Sequence, residues 1–226
     1  MKVQGVIFDV DGVLLDSMGI WSVIGSKFLD SLGIQHEKNI DDVLKTMTMP
    51  QAILYLKNKF KINFSDDEIK IEIRKVIDRY YKDEVKLKNG VLGFLKYLHE
   101  NKIKVCVATA NNYKTVHNVF KRLDIDKYFI KIFSCEELEC DKRNSSKVFD
   151  MALNCLNMNK KNVIVFEDSL YAIETAKKAN YWTVGIFDEY EKKNWASIKN
   201  LSDYCFESLD TAKDFFAGNQ FVISKR

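Results

Sequence analysis

The chain is poor in several of the features that would decide its class at once. Its 226 residues include a single proline, Pro50. Five cysteines are present (Cys106, Cys135, Cys140, Cys155 and Cys205), an odd number with no CxxC spacing. That argues against a disulfide framework or a structural zinc site and suits a reducing cytoplasm. The three histidines, His36, His99 and His117, show no metal-ligand spacing. No apolar run is long enough to span a bilayer, and the N-terminus lacks the long apolar stretch of a secretory leader. The net charge of +3 is too small to point to nucleic acid or a membrane surface as the main partner. No internal repeat or low-complexity segment occurs.

What is present reads as one large soluble domain, or one domain with a smaller insert. Apolar residues make up 46% and charged residues 30% of the chain, enough for a sizeable core and a solvated surface. Gly5 to Val10 is a short buried strand running into an acidic turn, Asp9-Val10-Asp11-Gly12. From Ser17 to about Lys86 the pattern is helical only. Trp21, Ile24, Phe28 and Leu32 share one face; Ile40, Val43, Leu44 and Met47 mark a second helix. Pro50 suits the first turn of a third helix, and Ser65 with Glu68 forms a capping box for a fourth, with Ile69, Ile73, Val76, Ile77 and Tyr80 facing inward.

After Asn89-Gly90 helices and strands alternate. Helices are expected at about 91–101, 113–123, 146–156 and 169–179, and strands at 103–109, 130–134, 163–167 and 182–187, with a weaker strand and helix to finish. Strict alternation predicts a Rossmann-like α/β core with a parallel sheet. The expected domains are a core of residues 1–16 plus 87–226 and a helical-bundle cap of residues 17–86.

In an open parallel sheet, ligands bind beyond the carboxyl ends of the strands. Three polar clusters fall there: Asp9 with Asp11, Thr109-Ala110-Asn111, and Glu167-Asp168-Ser169. A fourth, Asp141-Lys142-Arg143, precedes the helix at about 146. Carboxylates brought together need a cation between them, and magnesium suits an all-oxygen site that exchanges water for phosphate. An Asp is a competent nucleophile toward phosphorus, and a second acid two residues on can protonate the leaving oxygen and then activate water. Thr109 and Lys142 would hold phosphoryl oxygens, and Gly12 would allow a tight turn beneath them.

The motifs resemble those of the haloacid dehalogenase superfamily. Phe8 to Ser17 is similar to its first motif, Val107 to Asn111 to its second, and Val165 to Ile173 to its fourth. The form is that of the branch with a helical cap after motif one, which includes sugar-phosphate phosphatases and β-phosphoglucomutases. Order and spacing agree from about residue 3 to 215, and only together are the short motifs specific. The resemblance implies Asp9 as nucleophile and Asp11 as acid and base. It implies a magnesium ion held by Asp9, the Asp11 backbone carbonyl and Asp168, with Glu167 bound directly or through water. Thr109, Ala110 and Asn111 would bind phosphate. The third motif departs from the family's Lys before a Pro-rich turn. Cys140 to Phe149 contains no proline, so either Lys142 or Arg143 fits the cation position, with Lys142 the usual residue type and Lys147 a poor third.

Phosphatase and mutase differ in the cap. The mutases carry a hinge His where this chain has Trp21, and an Arg in the loop matching Lys45–Ala52, which has none. Hydrolysis of a small phosphorylated metabolite, such as a sugar phosphate, is therefore expected. A phosphomutase and a non-catalytic binding protein are the alternatives. Asp11 argues against a dehalogenase or a phosphonoacetaldehyde hydrolase. Met18, Trp21, Met47 and Met49 lie where a cap would face its site, although packing inside the cap is the plainer reading for them. A cytoplasmic monomer or weak homo-oligomer is expected.

Overall fold

The computed structural model describes residues 2–219 and Val222. The chain divides into two compact units, one of residues 1–16 and 86–226 and one of residues 17–85. The elements run in order as β1 (Gly5–Phe8), β2 (Leu15–Asp16), α1 (Ile24–Ser31), α2 (Ile40–Leu44), α3 (Met49–Phe60), α4 (Asp66–Asp83) and β3 (Lys86–Leu87). There follow α5 (Val91–Glu100), β4 (Lys104–Thr109), α6 (Tyr113–Arg122), β5 (Ile132–Ser134), α7 (Lys147–Leu156), β6 (Val163–Glu167), α8 (Leu170–Lys178), β7 (Trp182–Ile186), α9 (Trp195–Leu201), β8 (Tyr204–Phe206) and α10 (Leu209–Gly218).

The larger unit is the expected α/β fold. Six strands form one sheet in the order β5-β4-β1-β6-β7-β8, and every neighbouring pair is parallel. The strands read as continuous apolar runs because helices cover both faces of such a sheet. Val6, Ile7 and Phe8 of β1 and all five residues of β6 are buried. One face carries a cluster that includes Ile7, Cys106, Phe149, Val165 and Tyr181. Another packing group stacks Phe8, Phe94, Phe166 and Phe216, with ring centroids 4.8–6.1 Å apart.

β1 is shorter than the predicted strand: it stops at Phe8, and Asp9 and Val10 already belong to the loop. The closing strand and helix are β8 and α10, preceded by α9, which the sequence reading lacked. It also lacked the small antiparallel pair of β2 and β3, in which Leu15 faces Leu87. Two-residue strands leave too short a pattern to register as alternation.

The smaller unit is all helical. Its core gathers Phe28, Leu29, Ile40, Ile53, Leu56, Ile62 and Ile69. The Ser65 and Glu68 capping box is formed, and a second box, Thr48 with Gln51, opens α3 with Pro50 in its first turn. On α4 the inward tyrosine is Tyr81, 3% exposed, rather than the predicted Tyr80. Trp21 lies in a 3-10 turn, and Trp21 and Met49 are 39% and 49% exposed, so neither belongs to this core. Among the described residues no helix is long and apolar enough to cross a membrane.

Candidate active site

Parallel pairing sets the site. Phe8 of β1 lies level with Val107 of β4 and Phe166 of β6. One residue further on, the Asp9 amide donates to the Phe166 carbonyl at 2.9 Å, which brings the Asp9 side chain alongside the end of β6. Carboxylate oxygens of Asp9, Glu167 and Asp168 all lie within 4.8 Å of one another, and all three residues are buried. Residues 133 positions apart in the chain complete the cluster: the Lys142 ammonium donates to Asp9 Oδ1 and to Glu167 Oε1, each at 2.6 Å.

This settles where the two candidate cations lie. Lys142 is 2% exposed and sits inside the acid cluster, 5.5 Å from the centre of the Phe149 ring. Arg143 points away, with its guanidinium 4.3 Å from the centre of the Tyr171 ring, and is not brought to the acids. Lys147 is exposed and donates to the Leu138 carbonyl at 2.7 Å.

The electrostatics follow from three acids sharing one base. Burial pushes Asp9 up from the ordinary carboxylate value, the neighbouring Asp11 adds to this, and Lys142 opposes it. Burial and Asp9 together push Glu167 up to about 8 despite Lys142. Asp168 is raised well above its ordinary value by burial, then by Asp9, Glu167 and Asp188. For Lys142, burial works against the charged form, but the Asp9 and Glu167 carboxylates outweigh it and hold the ammonium protonated. The site is thus short of positive charge.

Asp168 shows where the shortage is felt. Its Oδ2 is buried with no hydrogen-bond partner among the described residues. A buried carboxylate oxygen left in this way is costly unless a cation completes it. Gly12 makes room for it: the residue has φ +80°, and a Cβ there would meet Asp168 Oδ2 at 2.1 Å. Three carboxylates offering hard oxygen donors, one of them with an orphaned oxygen, fit a magnesium ion.

The second strand end supplies the polar rim. Thr109 is fully buried at the end of β4, and its Oγ1 accepts from the Asn111 amide at 3.0 Å. The Asn111 side-chain amide donates to Asp11 Oδ2 at 3.1 Å. Ser134, which ends β5, donates to the Asn111 carbonyl at 2.8 Å and so fixes this turn. Ala110 is exposed at its tip. Asp11, Gly12, Thr109 and Asn111 are therefore linked to the loops around the acid cluster, while Arg143 stands apart.

Sequence reasoning missed Lys88 and Asp188. The Lys88 ammonium donates to the Gly12 carbonyl at 2.6 Å, the Phe187 carbonyl at 2.8 Å and Asp188 Oδ2 at 2.7 Å. The available signal was the position of Asp188, two residues beyond the carboxyl end of β7, the same kind of strand edge that drew notice to the other acids.

A doubly wound sheet with buried acids and a lysine at its carboxyl edge defines an α/β enzyme. Residues 6–186 match the haloacid dehalogenase-like hydrolases, and the chain belongs to that family. A phosphorylated carbohydrates phosphatase of Thermotoga maritima is 25% identical over 176 residues, covering 78% of this chain and 81% of the relative. The pyrophosphatase PpaX of Listeria monocytogenes is 20% identical over 191 residues, covering 82% and 83%. The fold also matches that of a Clostridium difficile β-phosphoglucomutase, with TM-score 0.66 and 21% identity over 97% of each chain.

Proposed function

We propose that the protein is a magnesium-dependent phosphatase acting through a phospho-aspartate on Asp9, with a small phosphorylated metabolite such as a sugar phosphate as substrate. The observation that carries this reading is the convergence of Asp9, Glu167 and Asp168 on one buried point with Lys142 as their sole cation among the described residues. The Thermotoga relative named for phosphorylated carbohydrates supports the substrate class.

Asp9, Glu167, Asp168 and the Asp11 backbone carbonyl would hold the ion, which when bound offsets the negative charge gathered between these acids and a phosphoryl group. Asp9 attacks phosphorus. Lys142, bonded to Asp9 Oδ1, keeps one oxygen of that carboxylate engaged and stands ready to share its donors with the phosphoryl oxygens. Thr109 and the backbone amides of Ala110 and Asn111 bind the remaining phosphoryl oxygens. Asp11, oriented by the Asn111 amide, protonates the departing oxygen and then takes a proton from the water that hydrolyses the phospho-aspartate. Trp21 and the Arg-free loop Lys45–Ala52 stand where mutases carry their hinge His and second phosphate grip, which favours hydrolysis over transfer.

The test is phosphate release from phosphorylated sugars, nucleotides, pyrophosphate and p-nitrophenyl phosphate, with magnesium and with EDTA. Release that needs magnesium is expected, with a sugar phosphate ranked first. Conversion of glucose 1-phosphate to glucose 6-phosphate without free phosphate would replace the reading with a mutase.

A further inference from the structure

Lys88 makes three contacts that its surface location does not require. It lies three residues into the larger unit's second segment, and its side chain is only 17% exposed. An ammonium has three hydrogens, and here the three acceptors are the Gly12 carbonyl, the Phe187 carbonyl and Asp188. Its own amide also donates to the Leu14 carbonyl at 3.0 Å. Lys88 therefore grips the loop after β1 at two points and ties it to the end of β7.

The grip falls at a sensitive place. The carbonyl it holds belongs to Gly12, the residue at which a Cβ would meet the orphaned oxygen of Asp168 at 2.1 Å. Within the loop the Gly12 amide donates to the Leu15 carbonyl, and the Leu14 and Leu15 amides both donate to the Val10 carbonyl. The loop's Val10, Val13, Leu14 and Leu15 are buried, and on the Lys88 side a cavity of about 290 Å³ is bordered by Val13, Leu87, Lys88, Phe187 and Asp188. The ammonium adds a polar brace to that packing by holding the Gly12 carbonyl. Asp188 anchors Lys88, and that ammonium pairs with its charge.

We infer that Lys88 is a positioning residue that holds the Asp9–Gly12 loop in its working shape by fixing the Gly12 carbonyl. The inference rests on the phosphatase reading above for what the loop does. A displacement of the order of 1 Å in such a loop costs about 100-fold in rate. Lys88→Met is expected to lower kcat by about 10- to 100-fold while KM changes less than about threefold, because Lys88 lies behind the loop and does not touch substrate.

Two readouts separate positioning from a general loss of structure. In the metal-free protein, hydrogen exchange at the Gly12, Leu14 and Leu15 amides should quicken by about tenfold in Lys88→Met, with the β4 and β6 amides unchanged. Asp188→Asn removes the ion pair but leaves both carbonyl bonds, and its loss in kcat should be at least about threefold smaller. If Lys88→Met does not fold, Lys88→Arg serves with the same readouts, since a planar guanidinium cannot direct three hydrogens at these three oxygens. Normal kcat, unchanged loop exchange, or an equal loss in Asp188→Asn overturns the inference. Wild-type protein that releases no phosphate overturns the phosphatase reading, and the inference with it; active wild type with an indifferent Lys88→Met overturns the inference alone.

Discussion

The two units use the same charged residues in opposite ways. On α4 of the helical unit, Lys70 pairs with Asp67 and Lys75 with Glu72 one turn apart, with the lysines 57% and 62% exposed. Such pairs exchange water contacts for each other at almost no net gain. At the sheet edge, Lys142 and Glu167 are 2% and 1% exposed, and their partner Asp9 is 10% exposed. Three acids and one lysine buried together cost stability that the fold has to supply from its apolar strands. The contrast teaches where to look for chemistry: a charge kept dry in spite of its cost needs a reason that a charge on a wet helix does not.

The comparison breaks most sharply at Asp9. Asp9→Asn replaces the carboxylate of the proposed nucleophile with an amide, and magnesium-dependent phosphate release should fall by on the order of 10³-fold or more. A variant that retains full activity rules out the covalent route. Lys142→Met comes next. It removes the cation while leaving its acids in place, so turnover should fall by about 10²- to 10³-fold. Urea unfolding without magnesium should show a loss of about 3–5 kcal/mol. A wild-type urea midpoint would mean that the buried charges are not coupled as their geometry indicates.

A smaller effect sharpens the contrast at an intermediate site. Asp150 accepts from Ser146 and Tyr181 at 2.7 Å and from Lys160 at 3.1 Å. Burial favours its neutral form, but these bonds outweigh burial and hold its carboxyl below the usual range. A carboxyl depressed in the folded state stabilises above its unfolded value and loses that contribution as pH falls through its folded one. Asp150→Asn should therefore cost about 1 kcal/mol at neutral pH. Because the carboxyl is partly exposed, water screens the pair and keeps the figure small. The variant's urea midpoint should also fall less steeply than wild type below pH about 4. At the far end of the scale, Lys75→Met on α4 should leave the urea midpoint where it was.

The same contrast explains what could be read in advance. The fold class was legible because strand and helix patterns have different periods, and β4, β6 and β7 each alternate with a helix carrying an apolar stripe. The strand-end position of Asp9, Thr109 and Glu167 was legible for the same reason. The choice between Lys142 and Arg143 was not, because the loop from Asp141 to Ser146 has no period and no proline to fix its register. Only the fold turns one of these neighbours toward Asp9 and the other toward Tyr171. Lys88 was less legible still. Two of its three acceptors are backbone carbonyls, which every residue has, in segments 76 and 99 positions away. Trp21 and Met49 misled because an apolar side chain in a helical segment usually belongs to the core, and here both remain substantially exposed.

The central place of β1 has a consequence for how the protein is made. Its four residues precede both of the strands that flank it, which begin at Lys104 and Val163. Until β4 has been synthesised, this apolar segment has no neighbour to pair with in the sheet, and its other edge stays open until β6 follows. At about 5–20 residues per second that wait lasts on the order of ten seconds or more. The helical unit, with its local contacts, is complete by residue 85 and can form during the interval. The nascent chain thus carries β1 with at least one edge unpaired until β6 is made, and it is the arrival of β6 that brings Glu167 and Asp168 to Asp9.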